Sequence, residues 1–187
     1  MLFNHARIPI EILKPKVDEE QLKNKISDPV ELVKELARAK VLFAMNVLRE
    51  NKKKGIVISA DTIVELKGQI IGKAVDEQDA FTILKKLIGH THNLVTGIAI
   101  TDTEDSKIIV DYETTVVKFL NLSDDEITKY IKLGEWKGRA GAYAITEKAG
   151  VFIEYIQGSF SNVVGLPLHK IFLILKNYFQ VNILEEN

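Results

Sequence analysis

Between Gly55 and Asp61 the chain reads Ile56-Val57-Ile58-Ser59-Ala60, an almost unbroken apolar run of the kind found in strands covered on both faces. A central strand is predicted there, so the fold must supply helices to cover it. The segment just before has the matching pattern. Asp28-Pro29-Val30-Glu31 carries the residues of a capping box with proline at the first helical position. Val33, Leu36, Ala37, Val41, Ala44 and Leu48 then recur at spacings of three and four up to Lys52-Lys53-Lys54 and Gly55, which predicts one long amphipathic helix with a solvated basic end.

Other elements follow by the same logic. Ile8-Pro9-Ile10-Glu11-Ile12-Leu13 alternates enough for an edge strand that opens the sheet. Ile63–Leu66 and Gln69–Ile71 flank Lys67-Gly68 as a hairpin. Helices are predicted from Asp76 to Ile88 before Gly89, from Ser123 to Gly134, and from Pro167 to Phe179; strands are predicted at 93–101, 107–119 and 151–156. Helices interleaved with strands, some joined by hairpins, indicate an α/β fold with a mixed sheet. There is no repeat or Pro/Gly/Ser-rich linker, so the 187 residues are read as a single domain.

Charge narrows the function. Twenty-five Lys and Arg against 26 Asp and Glu leave a formal net charge of -1, which disfavours a nucleic-acid partner. Without cysteine, thiolate metal sites and thiol nucleophiles are excluded, and a reducing compartment such as the cytoplasm is compatible. No apolar run is long enough to span a membrane.

The chemistry-bearing candidates are few. Asp61 follows the apolar strand, at the end that faces the ligand crevice in open α/β sheets; it can hold a divalent cation or deprotonate water, or simply make a turn with nearby amides. Lys40 is in phase with the apolar stripe of the long helix, with Ala37 and Ala44 on either side. Its ammonium either snorkels to water or meets an anion at a cleft edge. Lys73 follows Gly72 and can contact phosphate. Val17-Asp18-Glu19-Glu20 is an acidic loop, able in principle to ligate metal. His5, His90, His92 and His169 have no zinc spacing and read as surface or structural. Gly158-Ser159-Phe160-Ser161-Asn162 is either an amide-rich anion nest or an ordinary loop, and its serines lack a triad.

Taken together, Ser59-Ala60-Asp61-Thr62, Gly72-Lys73, Thr96-Gly97, Arg139-Ala140-Gly141-Ala142-Tyr143 and Gly158-Ser159 through Asn162-Val163-Val164-Gly165-Leu166-Pro167 resemble the Maf family of nucleotide pyrophosphatases, from about residue 8 to about residue 179. The resemblance implies an elongated mixed sheet with flanking helices and two lobes around a cleft, related to inosine triphosphatase. It implies hydrolysis of nucleoside triphosphates between the alpha and beta phosphates with Mg or Mn, and a homodimer. Asp61 matches the proton acceptor for water and a metal ligand; Glu19 matches the acidic metal or water partner. Lys40 and Lys73 match the phosphate-facing lysines, while Thr62, Arg139 and Thr146 fall at substrate-binding positions.

Two departures stand out. The family's Ser-x-Ser-Pro-Arg-Arg loop precedes the part matched by this chain, which starts Met1-Leu2-Phe3. Its absence predicts weaker triphosphate binding, either in a catalytically weak nucleotide-binding or regulatory protein or because the native start lies upstream. Pyrimidine-selective members carry Gln where this chain has Thr146, and the shorter hydroxyl offers a base a different hydrogen-bond pattern.

Overall fold

In the computed structural model, which describes Phe3, residues 8–105 and residues 107–185, residues 8–18 form neither helix nor strand. The edge strand expected at 8–13 is therefore absent. Pro9 and Pro15 offer no amide to a ladder, and Ile10 and Ile12, which should share a buried face, are 42% and 57% exposed. His5 lies outside the described residues. The acidic stretch expected to be a loop instead opens helix α1, Glu19–Lys25, where the Asp18 side chain accepts from the Gln21 amide and Glu19 and Glu20 sit at the positive end of the helix.

Helix α2 spans Pro29–Glu50, capped by Asp28, whose carboxylate accepts from the Glu31 amide at 2.8 Å. Then come β1 (Ile56–Leu66), β2 (Gln69–Ile71), α3 (Glu77–Leu87), β3 (Thr91–Asp102), β4 (Ile108–Phe119), α4 (Asp124–Lys132), a 3-10 helix over Lys148–Phe152, β5 (Ile153–Gln157), the short α5 (Phe160–Val163) and α6 (Leu168–Tyr178). The five strands are ordered β2-β1-β3-β4-β5, with β2 antiparallel to β1 and β5 antiparallel to β4. The α/β class is as expected.

Three boundaries differ from expectation. The strands expected at 56–60 and 63–66 are one continuous β1, so Asp61 lies in mid-strand and not beyond a carboxyl end. β2 pairs only with Val64, Glu65 and Leu66. Along Ile56–Asp61, then, β1 has a paired strand on one side only among the described residues, and it is not central there. Thirdly, Val151 and Phe152 belong to the 3-10 helix that precedes β5.

The chain forms two compact units. One comprises the described residues among 1–61, 96–113 and 165–187. Its strand residues alternate between two helices, as a period of two requires. Val57 and Ala99 pack on Ala37, Val41 and Ala44 of α2. Ile98 and Ile100 join Ile171, Ile174 and Leu175 of α6, with Ile56, Ile58 and Ala60 packed against them. Both faces of the apolar run are thus covered, as its composition predicts, although only Val57 is fully buried.

The second unit comprises residues 62–95 and 114–164. Lys67 and Gly68 turn its hairpin with φ of 51° and 83°, the left-handed pair that a tight two-residue hairpin needs. Its core gathers Leu84 and Leu87 of α3, Ile127 and Tyr130 of α4, Trp136, Tyr143 and Phe152. His92, expected to be surface or structural, is structural. It is 2% exposed, edge-on to Phe119 and Tyr143, with Nε2 2.9 Å from the Tyr143 hydroxyl. The Gly158–Asn162 stretch is a packed corner. Ser159 caps α5, and the buried Asn162 donates to the Leu94 carbonyl and to Thr115 Oγ1.

Candidate active site

In the first unit three residues expected to carry chemistry meet. Lys40 Nζ lies 2.5 Å from Asp61 Oδ1 and 2.7 Å from Glu19 Oε1. Each comes from a different element, and each placement has a local cause. Glu19 is the first residue of α1, fixed by the Asp18 cap. Lys40 lies in phase with the α2 stripe that buries Val33, Ala37 and Ala44, so its stem must run along the core before its charge can emerge. Asp61 is two residues beyond Ser59 and four beyond Val57, on the face of β1 that meets α2.

The cluster is largely withdrawn from water. The side chains of Lys40, Asp61 and Glu19 are 15%, 14% and 32% exposed. Burial alone would lower the Lys40 pKa, but the charge and hydrogen bond of Asp61, followed by those of Glu19, outweigh it and hold the ammonium above the usual lysine range. The snorkelling alternative for Lys40 is therefore replaced by a double ion pair. Glu19 is also 3.9 Å from Lys23 Nζ.

A cavity of about 520 Å³ opens beside Lys40 in the same unit, bounded by residues 9–13, by Ala44 and Leu48 of α2, and by Ile56–Ala60 of β1. Lys40 is the charged group that connects this space to the two carboxylates.

The remaining predicted residues belong to the second unit. Lys73 is exposed and forms an antiparallel bridge with Ala140, and the Gly141 amide donates to the Gly72 carbonyl at 3.2 Å. This sets Lys73 alongside Arg139, itself exposed and 3.3 Å from Glu147. Thr146 is exposed next to Glu147. Thr62, half-buried, directly follows Asp61, and strand alternation turns it to the opposite face.

Two positions escaped prediction as parts of this framework. The Ser59 hydroxyl donates to the Ala37 carbonyl at 2.7 Å, and Gly97 lies under the backbone of Val33. The signal for the first was a single hydroxyl inside an otherwise apolar run.

Fold and cluster together define an α/β protein that holds an ammonium between two carboxylates beside a cavity, groups suited to managing a cation and an anion at one place. The chain belongs to the Maf family: the model of the Maf-like proteins matches residues 1–178. Its relatives include the dTTP/UTP pyrophosphatase of Alkaliphilus oremlandii, 42% identical over 98% of this chain and 92% of the relative. The dTTP/UTP pyrophosphatase of Dictyoglomus thermophilum is 40% identical over 89% of this chain and 84% of the relative. That of Ruminiclostridium cellulolyticum is 36% identical over 91% and 86%. Among the described residues no helix is long and apolar enough to cross a membrane.

Proposed function

We propose that this protein is a nucleoside triphosphate pyrophosphatase that hydrolyses dTTP and UTP to the monophosphate and pyrophosphate. The observation that carries the reading is the Lys40 ammonium shared by Asp61 and Glu19, in a chain whose relatives bear that activity in their names. Asp61 is the base: one oxygen takes a proton from water as the water oxygen bonds to the alpha phosphorus and the bond to the bridging oxygen of pyrophosphate breaks. Lys40 can exchange a carboxylate for a phosphate oxygen without leaving its place on α2, offsetting charge that develops on the leaving group. On the family resemblance alone, Lys73 and Arg139 are assigned to phosphate and Thr62 and Thr146 to the nucleoside.

A divalent cation fits the donor set. Asp61 and Glu19 supply hard carboxylate oxygens that already converge on one cationic point. Among the described residues no group of three or more His, Cys, Asp and Glu could hold a metal. Mg and Mn suit this arrangement, because Mg²⁺ typically takes one or two carboxylates and completes its shell with water and substrate phosphates. Such an ion would supply charge neutralisation on the phosphates. Asp61 and Glu19 are the residues that would hold it. We assign the enzyme to the cytoplasm, as a homodimer, on the family resemblance.

Purified protein given dTTP, UTP and a panel of other nucleotides with Mg or Mn should release pyrophosphate from dTTP and UTP, and the panel reads what Thr146 in place of Gln does to base choice. Asp61→Asn should lower kcat by at least a thousandfold. Nucleotide binding without pyrophosphate release from the wild type would overturn the reading in favour of a non-hydrolytic nucleotide-binding protein.

A further inference from the structure

Ser59 is the single polar residue in Ile56–Ala60, and its hydroxyl is turned onto a helix. Oγ donates to the Ala37 carbonyl at 2.7 Å and lies 3.3 Å from the Ala99 carbonyl. A hydroxyl has one proton, and the shorter contact takes it to α2. Within an α-helix, carbonyls are already engaged by the helix ladder. The serine bond is thus not needed to satisfy Ala37; what it adds is a directional tie between helix and strand.

The location of that tie is informative. Ala37 is one turn before Lys40, and Ser59 is two residues before Asp61, so the bond lies one step along the same helix–strand seam as the ion pair. The rest of the seam is made by Ala37, Val41, Ala44, Val57 and Ala99, small or smooth side chains whose burial is non-directional and which have no polar atom to form a second side-chain hydrogen bond between helix and strand. Farther back, Gly97 under Val33 sets how closely the helix approaches the sheet.

We infer that Ser59 is a positioning residue, fixing the register of α2 on β1 so that Lys40 Nζ is presented to Asp61. Its one proton is engaged by the Ala37 carbonyl, so it acts through Lys40 and Asp61. A displacement of about 1 Å can cost on the order of a hundredfold in rate, and one lost tie allows a fraction of that. The kinetic part rests on the pyrophosphatase reading; the geometric part does not.

Two measurements separate them. Ser59→Ala should lower kcat for dTTP about five- to tenfold and change KM less than twofold. On a Lys40→Ala background the same substitution should lower kcat less than twofold further. Multiplicative losses in the double variant, or an unchanged kcat with a lower Tm, would show a packing role only and overturn the proposal. Independently of turnover, the Lys40–Asp61 coupling can be read from urea unfolding of Lys40→Met, Asp61→Asn and the double variant. Expressed as a factor in the unfolding equilibrium constant, it should fall at least twofold when the cycle is repeated with Ser59→Ala. An equal coupling in both cycles would overturn the inference even if the protein proved not to be a hydrolase; a reduced coupling without turnover would sink only the activity.

Discussion

Gly97 of β3 lies so close beneath Val33 of α2 that a Cβ at position 97 would sit 2.1 Å from the Val33 carbonyl oxygen and 2.7 Å from the Lys34 nitrogen. Both neighbours are backbone, which cannot rotate away as a side chain can. Val33 shares its helix stripe with Ala37, Lys40 and Ala44, so whatever lifts the helix at Val33 also lifts Lys40.

Gly97→Ala should therefore destabilise the protein by about 1–3 kcal/mol, the usual cost of overpacking, and weaken the Lys40 ion pairs as well. Urea unfolding gives the first. The second appears as a lower Lys40 pKa, read from the pH dependence of its ammonium signal by NMR. A fully stable Gly97→Ala protein would mean that α2 and β3 separate without cost.

The pH dependence of the Lys40 contribution has a definite sign. Asp61 and Glu19 raise its pKa above the usual 10.5 despite the opposing effect of burial. As pH rises past 10.5 the unfolded chain releases this proton first. The stabilisation is fully present below pH 10.5 and is lost as pH climbs through the folded value. Above pH 10.5 wild type should lose stability more steeply than Lys40→Met, compared by urea midpoints as pH is raised. Parallel curves would place the Lys40 charge outside the folding equilibrium.

His92 works in the opposite pH range. Burial lowers its pKa from 6.5 to about 4. Below pH 6.5 the unfolded chain takes up a proton that the folded chain refuses, so stability falls as pH drops and the loss is complete near pH 4. At about 1.4 kcal/mol per pH unit, the full loss is about 3 kcal/mol. His92→Gln, which retains a polar group able to donate to or accept from the Tyr143 hydroxyl, should flatten this part of the profile. An unchanged slope between pH 6.5 and 4 would assign it to carboxylates instead.

The elements that could be read from sequence were those with strong local signals. Asp28-Pro29 and the stripe from Val33 to Leu48 located α2, and Ser123 with Glu126 located α4, where both halves of the capping box are formed. Lys40 was recognisable because a charge in an apolar stripe has to find a partner, but the spacing could not show that its partners were Asp61 and Glu19. Their sequence separations of 21 and 21 residues are bridged only by the docking of α1 and β1 on α2. Asp61 reads as a strand end because a carboxylate interrupts the apolar run Ile56–Ala60 and Asp is depleted in strands; here the ion pair and the neighbouring ladder carry the strand through it. The segment at 8–13 misled in the other direction, since alternation signals a strand only where a partner ladder exists.

Glu19 offers the sharpest separation of charge from shape. Glu19→Gln keeps an oxygen that can accept from Lys40 Nζ and removes one of the two carboxylate charges facing it. Because Glu19 is about a third exposed, the loss of stability should be under about 1 kcal/mol. The effect on cation binding should be much larger, since Mg and Mn are held by charged oxygens. Titration of Mn into the full chain, followed by the electron paramagnetic resonance signal of the free ion, should give a Kd raised about tenfold, with no nucleotide present. Lys40 should also titrate at lower pH, having lost one of the two carboxylates that raise its pKa. Equal Mn affinity in wild type and variant would remove Glu19 from the metal site and leave it as a counter-ion of Lys40 alone.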